Sequence, residues 1–211
     1  MNNVNNLNVN IENSKFIKNN NNGGVIYIND MNNNNMEEGN GNDNDILIKD
    51  SLFEENVAKY FGGTFYFNMT DISNIKLISN KFINNIAGVA GAIAFFERVD
   101  NSTKKDVESY IKKMENNTYD NNVAISHGNL FASHPSKFIK INSDSDKNEI
   151  SSGGSTSFKI ELQDEFGNIV YDKEKYYTNI GLDFELKNKD GNTDIEYLIS
   201  DNLSTFMNGN S

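Results

Sequence analysis

The sequence predicts an all-β protein, in which a parallel β-helix of about four rungs is followed by part of a β-sandwich. Two observations predict the β-helix. A phrase recurs four times in the N-terminal part of the chain, and short β-branched and aromatic runs bounded by Gly, Asn and Asp accompany it. Self-similarity at a nearly fixed spacing indicates stacked supersecondary units, and runs of this kind are typical of strands.

Each copy of the phrase has an aromatic residue, an asparagine three positions later, usually an alanine two positions after that, and then glycine. The aromatic residues are Phe16, Phe53, Phe82 and Tyr119. The asparagines are Asn19, Asn56, Asn85 and Asn122, and the glycines include Gly24, Gly63, Gly91 and Gly128. The alanine position reads Asn21, Ala58, Ala87 and Ala124. The aromatic residues are 37, 29 and 37 positions apart, which fits a unit of about 30 residues with variable loops.

Two strands are predicted in each unit, one before the aromatic residue and one after the glycine. The candidate strands are residues 25–28, 46–48, 64–67, 75–78 and 92–96. One such unit has too little apolar surface to be stable alone, so neighbouring units must stack. We expect the aromatic residues to form one column inside the stack. We expect the asparagines to form a hydrogen-bonded ladder at a turn, where Asn tolerates left-handed backbone angles.

Other interpretations of the N-terminal sequence, as helix or as disordered chain, have less support. Only residues 107–114 come near the spacing of an amphipathic helix, and a loop insertion is the preferred interpretation. The asparagine runs at 19–22 and 32–35 are interpreted as loops. The alternative to a stack is an Asn-rich disordered chain with incidental apolar residues.

Two stretches carry a resemblance to a known family. Residues 51–67 (SLFEENVAKYFGGTFYF) and 80–96 (NKFINNIAGVAGAIAFF) resemble the polymorphic outer-membrane protein (Pmp) repeat. The resemblance covers roughly residues 10–134, although the first copy lacks the alanine and the fourth lacks the apolar run after glycine. It implies a right-handed, pectin lyase-like β-helix in a surface-exposed protein, commonly adhesive or receptor-like, and it implies no catalytic residues.

The C-terminal part changes to alternation of apolar and polar residues, as in a half-buried antiparallel strand. Phe158, Ile160 and Leu162 alternate, residues 164–168 form a turn, and residues 169–171 begin another strand. Further alternation and hairpin signals follow at 182–186, 190–192 and 195–199. The stretch ELQDEFGNIVYD is similar to immunoglobulin-like modules of filamin-like proteins. The expected domains are a β-helix over 1–135 and a truncated immunoglobulin-like β-sandwich over 136–211.

Charge and composition argue against several classes of partner and site. The net charge is −11 and the chain has one arginine, Arg98, which argues against binding to a phosphate backbone or an anionic membrane surface. No apolar segment has the length of a membrane span. There is no cysteine for a disulfide or a thiolate metal site. The first residues have no signal-peptide pattern, so we expect the chain to be a fragment of a longer secreted or surface protein.

Four sequons are candidate N-glycosylation sites in a secreted protein: Asn68, Asn101, Asn116 and Asn202. In a chain this rich in Asn, Ser and Thr, such sequons arise readily by chance. They therefore add little support for secretion.

Candidate catalytic pairs were sought because some β-helices cleave polysaccharides. A lyase needs a basic residue beside a carboxylate, and a hydrolase needs two carboxylates facing one cleft. Arg98 with Asp100, and Asp43 with Asp45, are the pairs of each kind, and a solvated rim or loop is the simpler interpretation of both. We therefore predict no catalytic residues and no cofactor.

Metal ligands were weighed in the same way. His127 and His134 are the only histidines, and their spacing across an expected bend does not match a recognised two-histidine site. Asp144, Asp146 and Glu149 have oxygen ligands for Ca²⁺, yet the segment lacks the glycine and the length of a calcium loop. The prediction is no metal site.

These observations predict a non-enzymatic structural or adhesive segment of a large extracellular or cell-surface, membrane-associated protein, such as a receptor ectodomain. Surface glycans or proteins are the expected class of partner, with the ligand itself left open. One alternative is a carbohydrate-active β-helix, a lyase or hydrolase, whose catalytic rungs lie outside this chain. Another is an Asn-rich intracellular protein with prion-like behaviour.

Overall fold

The computed structural model describes residues 8–29, 45–69, 75–97, 114–141, 159–177, 181–183 and 203–205. All regular secondary structure in these ranges is β-strand, and they contain no helix. The prediction of an all-β chain is therefore confirmed for the part of the chain that the structure describes. The helix alternative at 107–114 lies outside the described residues except for Met114.

The strands of the N-terminal part fall into four successive units. The first has β1 (Asn8–Glu12), β2 (Lys15–Ile17), β3 (Asn20–Gly23) and β4 (Ile26–Asn29). The second has β5 (Asp45–Lys49), β6 (Leu52–Glu54), β7 (Val57–Phe61) and β8 (Phe65–Asn68). The third has β9 (Ile75–Ile78), β10 (Lys81–Ile83), β11 (Ile86–Ala87) and β12 (Ala94–Phe96). The fourth has β13 (Thr118–Asp120), β14 (Val123–Ala124) and β15 (Phe131–Ser133).

Each strand pairs with its equivalents in the neighbouring units, and every pair is parallel. The result is four sheets: β1-β5-β9, β2-β6-β10-β13, β3-β7-β11-β14 and β4-β8-β12-β15. The phrase residues are in register, with Phe53 opposite Phe16 and Phe82, and Ala87 opposite Ala58 and Ala124. Parallel pairing of equivalent residues is therefore the rule of the whole N-terminal part.

The inward-facing side chains of three sheets meet in one apolar core. Its fully buried members, each at most 1% exposed, include Ile46, Ile48, Phe53, Phe65, Phe67, Ile75, Leu77, Phe82 and Phe96. Each residue of this size contributes about 1.5–3 kcal/mol when it is taken out of water. The third sheet in chain order carries small residues inward instead, with Ala58 and Ala87 buried. The core is thus shared between units, which agrees with the expectation that one unit is not stable alone.

The chain turns between sheets through residues with positive φ at equivalent positions. The first corner has Asn13, Asp50, Ser79 and Asn116, and the second has Lys18, Glu55, Asn84 and Asn121. The third corner has glycine, at Gly24, Gly62, Gly91 and Gly128. The ladder asparagines were expected to take the left-handed conformation themselves. Instead, the residue immediately before each of them does, which leaves the asparagine free to follow the turn and pair with its counterpart.

Three further differences from the sequence predictions concern the strands. The asparagine run at 19–22, which was interpreted as a loop, lies mostly in β3 (Asn20–Gly23). Each complete unit has four strands rather than two, because the aromatic residue and the alanine each lie in a short strand of their own. The fourth copy, which lacks an apolar run after its glycine, still forms β15 and pairs with β12. In-register neighbours supply the hydrogen bonds that these short segments could not supply alone.

The units differ most in length at one place. Residues 30–44 connect β4 to β5, residues 69–74 connect β8 to β9 and residues 97–117 connect β12 to β13, with lengths of 15, 6 and 21 residues. A smaller irregularity is the register shift between Asn21 and Gly23 in the pairing of β3 with β7. The unequal spacing of the aromatic residues therefore arises largely between the last strand of one unit and the first strand of the next.

The C-terminal part begins with antiparallel pairing. β16 (Pro135–Ile141) pairs with β17 (Lys159–Asp164), and β18 (Gly181–Asp183) pairs with β19 (Leu203–Thr205). The predicted turn at 164–168 is present, with the Gly167 N–H donating to the Asp164 carbonyl at 3.1 Å. Residues 169–171 make a single bridge, Ile169 to Gln163, rather than the predicted strand. Phe158 and all of residues 184–199 lie outside the described residues.

Substitution of a corner glycine tests the third corner. Gly91 has a φ of +70°, and an added Cβ would lie 2.5 Å from the Ala94 carbonyl oxygen. We expect Gly91→Ala to lower the free energy of unfolding by at least about 2 kcal/mol, from left-handed strain together with this clash. Urea unfolding followed by circular dichroism measures the change.

Gly167→Ala is the matched control for Gly91→Ala. Gly167 has a φ of +81°, yet nothing lies within 4 Å of an added Cβ. The control therefore carries the strain of the left-handed conformation alone, about 1–2 kcal/mol. A loss at Gly91 no larger than the loss at Gly167 would contradict the close backbone approach at this corner.

Candidate functional site

The phrase aromatics form a stacked column inside the units. Ring centroids are 4.9 Å apart for Phe16 and Phe53, 5.2 Å for Phe53 and Phe82, and 5.4 Å for Phe82 and Tyr119. The planes deviate by 2°, 12° and 7°, so successive rings are close to parallel. Such spacings are those of favourable aromatic pairs. The column ties the four units together along one line of contacts.

Beside this column, the phrase asparagines form a ladder with one direction. The backbone N–H and the side-chain Nδ2 of Asn56 both donate to Asn85 Oδ1, at 3.1 and 2.9 Å. Asn19 donates to Asn56 and Asn85 donates to Asn122 in the same way. The Nδ2 groups of Asn56, Asn85 and Asn122 also donate to a backbone carbonyl of the preceding unit, as Asn85 Nδ2 does to Phe53 O at 2.9 Å. The ladder therefore satisfies polar groups that the stack buries.

A second ladder lies five residues before the first, at the other side of the aromatic strand. Ser14 N donates to Ser51 Oγ at 3.1 Å, and Ser51 N donates to Asn80 Oδ1 at 3.0 Å. Asn80 then donates through N and Nδ2 to Asn117 Oδ1, at 2.8 and 3.1 Å. Sequence reasoning missed this ladder because its members are serine in the first two units and asparagine in the last two. The signal that could have found it is a small polar residue two positions before every phrase aromatic.

On the outer face of the stack, tyrosines form a contiguous surface, called here the tyrosine surface: Tyr27, Tyr60, Tyr66 and Tyr176. Tyr27 stacks on Tyr66 with centroids 5.2 Å apart, and Tyr60 lies 6.0 Å from Tyr176. The buried ring of Phe61 joins the two pairs, 6.5 Å from Tyr66 and 5.0 Å from Tyr176. Tyr27 is 56%, Tyr176 45% and Tyr60 36% exposed. This surface joins the units to the segment after β17.

Polar groups flank the tyrosine surface. The Tyr66 hydroxyl donates to Glu97 Oε2, and His134 Nε2 lies 3.1 Å from the same carboxylate oxygen. Burial, and then the hydrogen bond to Glu97, raise the pKa of Tyr66 above its usual range. The Lys59 ammonium lies 5.0 Å from the centroid of the Tyr60 ring. The surface thus offers aromatic rings together with a carboxylate and an ammonium group.

A buried polar cluster joins the fourth unit to the segment after β17. Asp164 accepts hydrogen bonds from Ser133 N at 3.1 Å and from Asn168 N and Nδ2 at 2.8 and 2.9 Å. His127 Nε2 lies 3.0 Å from Ser133 O and 3.9 Å from Asp164 Oδ2, with both side chains 0% exposed. Ser126 Oγ is 3.1 Å from the other ring nitrogen. The cluster therefore fixes the turn at 164–168 against β15.

Burial sets the protonation of this cluster. It lowers the pKa of His127, because an imidazolium would lose its hydration there, and it raises the pKa of Asp164 for the same reason. With Nε2–H donating to the Ser133 carbonyl, the neutral ring uses Nδ1 to accept from the Ser126 hydroxyl. Although a Ser, a His and an Asp meet here, the imidazole is held by protein partners on both nitrogens. The arrangement therefore suits a structural role.

An open groove of about 830 Å³ lies beside the cluster, between residues 124–131 and 166–173. Its walls are mainly apolar and include Ile125, Leu130 and Phe166. No carboxylate lines the groove among the described residues. It therefore lacks the pair of acids that hydrolysis of a glycosidic bond uses.

The structure does not bring the remaining catalytic and metal-ligand candidates from the sequence together in one site among the described residues. Asp45 forms an exposed ion pair with Lys76 at 2.9 Å, while Asp43, Arg98 and Asp100 lie outside the described residues. His127 and His134 are in different surroundings, one in the buried cluster and the other beside Glu97. In the described part of the chain, no group of three or more His, Cys, Asp or Glu residues could hold a metal ion. Asp144, Asp146 and Glu149 fall outside that part.

Two of the four sequons can be placed. Asn68 ends β8 and its Oδ1 is buried, whereas Asn116 is exposed and has a φ of 56°. Of these two, Asn116 has the room for a glycan. Asn101 and Asn202 lie outside the described ranges.

Comparisons with protein-family models, with curated proteins and with solved structures returned no match for this chain. Within the described ranges, no helix is long and apolar enough to span a membrane. The Pmp resemblance therefore remains an expectation from the sequence.

Removal of one ladder amide tests the first ladder. Asn85→Ala would remove the side-chain partner of the buried Asn56 N and of Phe53 O. It would also remove one of the two hydrogen bonds made by Asn56 Nδ2 and one of the two accepted by Asn122 Oδ1. We expect the free energy of unfolding to fall by about 2–4 kcal/mol. Chemical denaturation followed by circular dichroism measures the loss.

The control is an Asn→Ala substitution at the exposed residue Asn21, which stands at the alanine position of the phrase in the first unit. Asn21→Ala gives the first unit the same residue as its neighbour in the second unit, Ala58, which lies opposite it. Its effect is expected to be within about 0.5 kcal/mol of zero. The sequence-based control Asn34→Ala lies outside the described residues. Similar losses at Asn85 and Asn21 would argue against the ladder.

The Tyr119 hydroxyl reports on the end of the aromatic column. Burial raises its pKa to about 12. We expect the ultraviolet difference between the wild type and Tyr119→Phe to show phenolate absorption only near pH 12, about two pH units above a free tyrosine. Ionisation of this hydroxyl near pH 10 would mean that the column is open at Tyr119.

Proposed function

We propose that this chain is a non-enzymatic, adhesive segment of an extracellular or cell-surface protein. In this proposal residues 1–135 form a right-handed parallel β-helix of the Pmp repeat type, and residues 136–211 belong to an immunoglobulin-like β-sandwich. Surface glycans or proteins are the class of partner. The observation that carries the proposal is the tyrosine surface, which is exposed, contiguous and mounted on a rigid parallel stack.

The stack supports this function by fixing the positions of its outer side chains. In parallel sheets with equivalent residues opposite each other, the strand after the glycine corner places Tyr27, Tyr66 and Phe95 in one row on the face away from the main core. Tyr27 is exposed, Tyr66 is partly buried and Phe95 is buried in a second apolar cluster. Both the aromatic column and the two amide ladders hold this row in register. Residues on rigid elements keep their spacing better than residues on loops, which suits repeated contacts along an extended partner.

The composition of the tyrosine surface also supports recognition. Tyrosine offers a large apolar ring and a hydroxyl group with few rotatable bonds, and it is enriched among residues that dominate binding energy. Here Tyr27, Tyr60 and Tyr176 are at least 36% exposed. Tyr60 lies against Tyr176, and Tyr27 lies against the partly buried Tyr66. A cluster of exposed aromatic residues of this kind is uncommon on a surface without a partner.

The chemistry of the buried cluster favours a binding role over catalysis. His127 and Asp164, which otherwise resemble catalytic groups, are fully buried and hydrogen-bonded to protein atoms. The described groove beside them has no carboxylate. The carbohydrate-active alternative therefore depends on residues outside the described part of the chain.

Substitution in the tyrosine surface tests the proposal. Tyr60→Ser and Tyr176→Ser are each expected to weaken binding of the purified chain to a glycan array or to intact cells by about tenfold or more, because each ring is a central contact. Ile17→Ser, at a residue that is 43% exposed on another sheet, is the control and should leave binding unchanged. Binding insensitive to both tyrosines would contradict the site.

A parallel assay for release of reducing ends from polysaccharides separates the two functions. The proposal expects no release. Specific cleavage that is abolished by changing one acidic residue would overturn it in favour of the carbohydrate-active alternative.

A further inference from the structure

A crevice smaller than the groove lies where the segment after β17 meets the outer face of the stack. It has a volume of about 190 Å³ and is called here the tyrosine crevice. Residues on β7 and residues that follow β11 and β14 form one wall, and residues 171–176 form the other. The lining includes Tyr60 and Tyr176, which also belong to the tyrosine surface. The crevice and that surface are therefore continuous.

The first wall has a gap because of one glycine. Lys59, Gly88 and Ile125 each follow the alanine of the phrase, and those alanines lie opposite one another. A Cβ at Gly88 would lie 2.0 Å from the Lys59 carbonyl oxygen, so the close backbone approach leaves no room for a side chain there. The row therefore has a side chain at each flank and none at its centre.

The opposite wall is fixed by a buried carboxylate. Asp172 is 8% exposed and accepts hydrogen bonds from the backbone N–H groups of Tyr176 and Tyr177, at 2.7 and 2.6 Å. Tyr171 N donates to Ser126 O at 3.3 Å, which ties this wall to the fourth unit. Because the wall is ordered before a ligand arrives, less conformational entropy is lost on binding.

Exposed rings give the crevice an apolar face. Tyr60, Tyr171 and Tyr176 line it and are 36%, 40% and 45% exposed. The centroids of Tyr60 and Tyr176 are 6.0 Å apart and their planes are inclined at 48°, so these two rings do not stack face to face. Parts of both rings stay accessible to the apolar surface of a ligand, and contacts of this kind contribute much of the binding energy at recognition sites.

The charges of the lining are balanced. Lys59 and Lys173 carry positive charge, whereas Asp172 and Glu174 carry negative charge. The Lys59 ammonium lies 5.0 Å from the centroid of Tyr60. The chain as a whole has a net charge of −11, which repels polyanions. These features favour a neutral ligand with hydroxyl groups, which can accept from an ammonium and donate to a carboxylate.

The volume of the crevice limits the size of that ligand. About 190 Å³ corresponds to about six water molecules at about 30 Å³ each, which is the size of one six-membered sugar ring with its hydroxyl groups. A pyranose has an apolar C–H face for the tyrosine rings and hydroxyls at its edge for the charged groups. An apolar peptide side chain of the same size would contact the rings but would offer nothing to Lys59 or Glu174.

We propose that the tyrosine crevice binds one neutral pyranose residue at the end of a glycan. Further residues of the glycan lie along the tyrosine surface, towards Tyr66 and Tyr27. This inference rests on the proposed adhesive function and names its ligand class, which is a neutral glycan with an accessible terminal residue.

The first experiment measures binding of methyl glycosides to the 211-residue chain by saturation-transfer NMR titration. The panel contains the methyl glycosides of glucose, galactose, mannose and N-acetylglucosamine. We expect saturable binding of at least one of them, and at least about fivefold weaker binding of the uronic acid of the same ring configuration. Tyr171→Ser should weaken binding of that glycoside at least about fivefold, because it removes a ring from the wall. Tyr171→Phe keeps the ring and should bind within about twofold of the unmodified chain.

Tyr27→Ser separates the crevice from the rest of the tyrosine surface. Tyr27 is 56% exposed and does not line the crevice. Its substitution should leave methyl glycoside binding unchanged, and should weaken binding of a longer neutral glycan on an array by at least about threefold. Equal loss for both ligands would contradict the placement of the terminal residue in the crevice.

Three outcomes would overturn the inference: no neutral glycoside binds, the uronic acid binds as tightly, or Tyr171→Ser binds as tightly as Tyr171→Phe. Adhesion to cells that survives enzymatic removal of their glycans, yet depends on Tyr60 and Tyr176, would assign the tyrosine surface to a protein partner. The adhesive function would then stand without the sugar site. Conversely, a chain that binds a methyl glycoside through Tyr171 but adheres to neither cells nor arrays would support the crevice and contradict the adhesive function.

Discussion

Hydrogen bonding between equivalent amides in successive units is the interaction on which the rest of the structure depends. A parallel stack brings like residues opposite one another, and most polar side chains would then be buried beside an identical group. An asparagine resolves this conflict because its amide is both donor and acceptor, so that Asn56 can accept from Asn19 while it donates to Asn85. In a buried setting an unpaired amide is costly, so one register is strongly favoured over its neighbours.

With the register set, the other features follow from geometry. The phrase aromatics meet as nearly parallel rings, and the residues before the ladder asparagines take the left-handed conformation that carries the chain from one sheet to the next. The same alternation that sends Phe65 and Phe67 into the core sends Tyr66 outward. The tyrosines on the outer face and the apolar side chains in the core are therefore consequences of one pattern along a strand.

Positions at which the same type of residue recurs in every unit can be predicted well from the sequence. The aromatic and asparagine positions stand out because the same residue types recur at the same spacing, and the strand around Phe65 is a strong apolar run. The strands that contain Phe53 and Ala87 were missed because three and two residues are too few to show alternation. Their existence depends on hydrogen bonds to neighbouring units, which no local pattern records.

The buried cluster was beyond sequence reasoning for a different reason. His127 and Asp164 are 37 positions apart, which equals two of the spacings between phrase aromatics, but the phrase does not recur around Asp164 and no motif connects the two residues. Their contact results from the turn at 164–168 packing on β15. Only part of the tyrosine surface could be predicted from the sequence. Tyr27 and Tyr66 occupy equivalent positions in neighbouring units, whereas the contact between Tyr60 and Tyr176 arises only in the folded chain.

The confinement of length variation to one connection has a consequence for how such a chain can change. The connections between the last strand of one unit and the first strand of the next differ from 6 to 21 residues, while the four sheets keep nearly the same register. Loop closure entropy grows only slowly with length, so a difference of this size costs little stability. The architecture therefore separates a frame of constant register from connections of variable length, as an engineered display scaffold does.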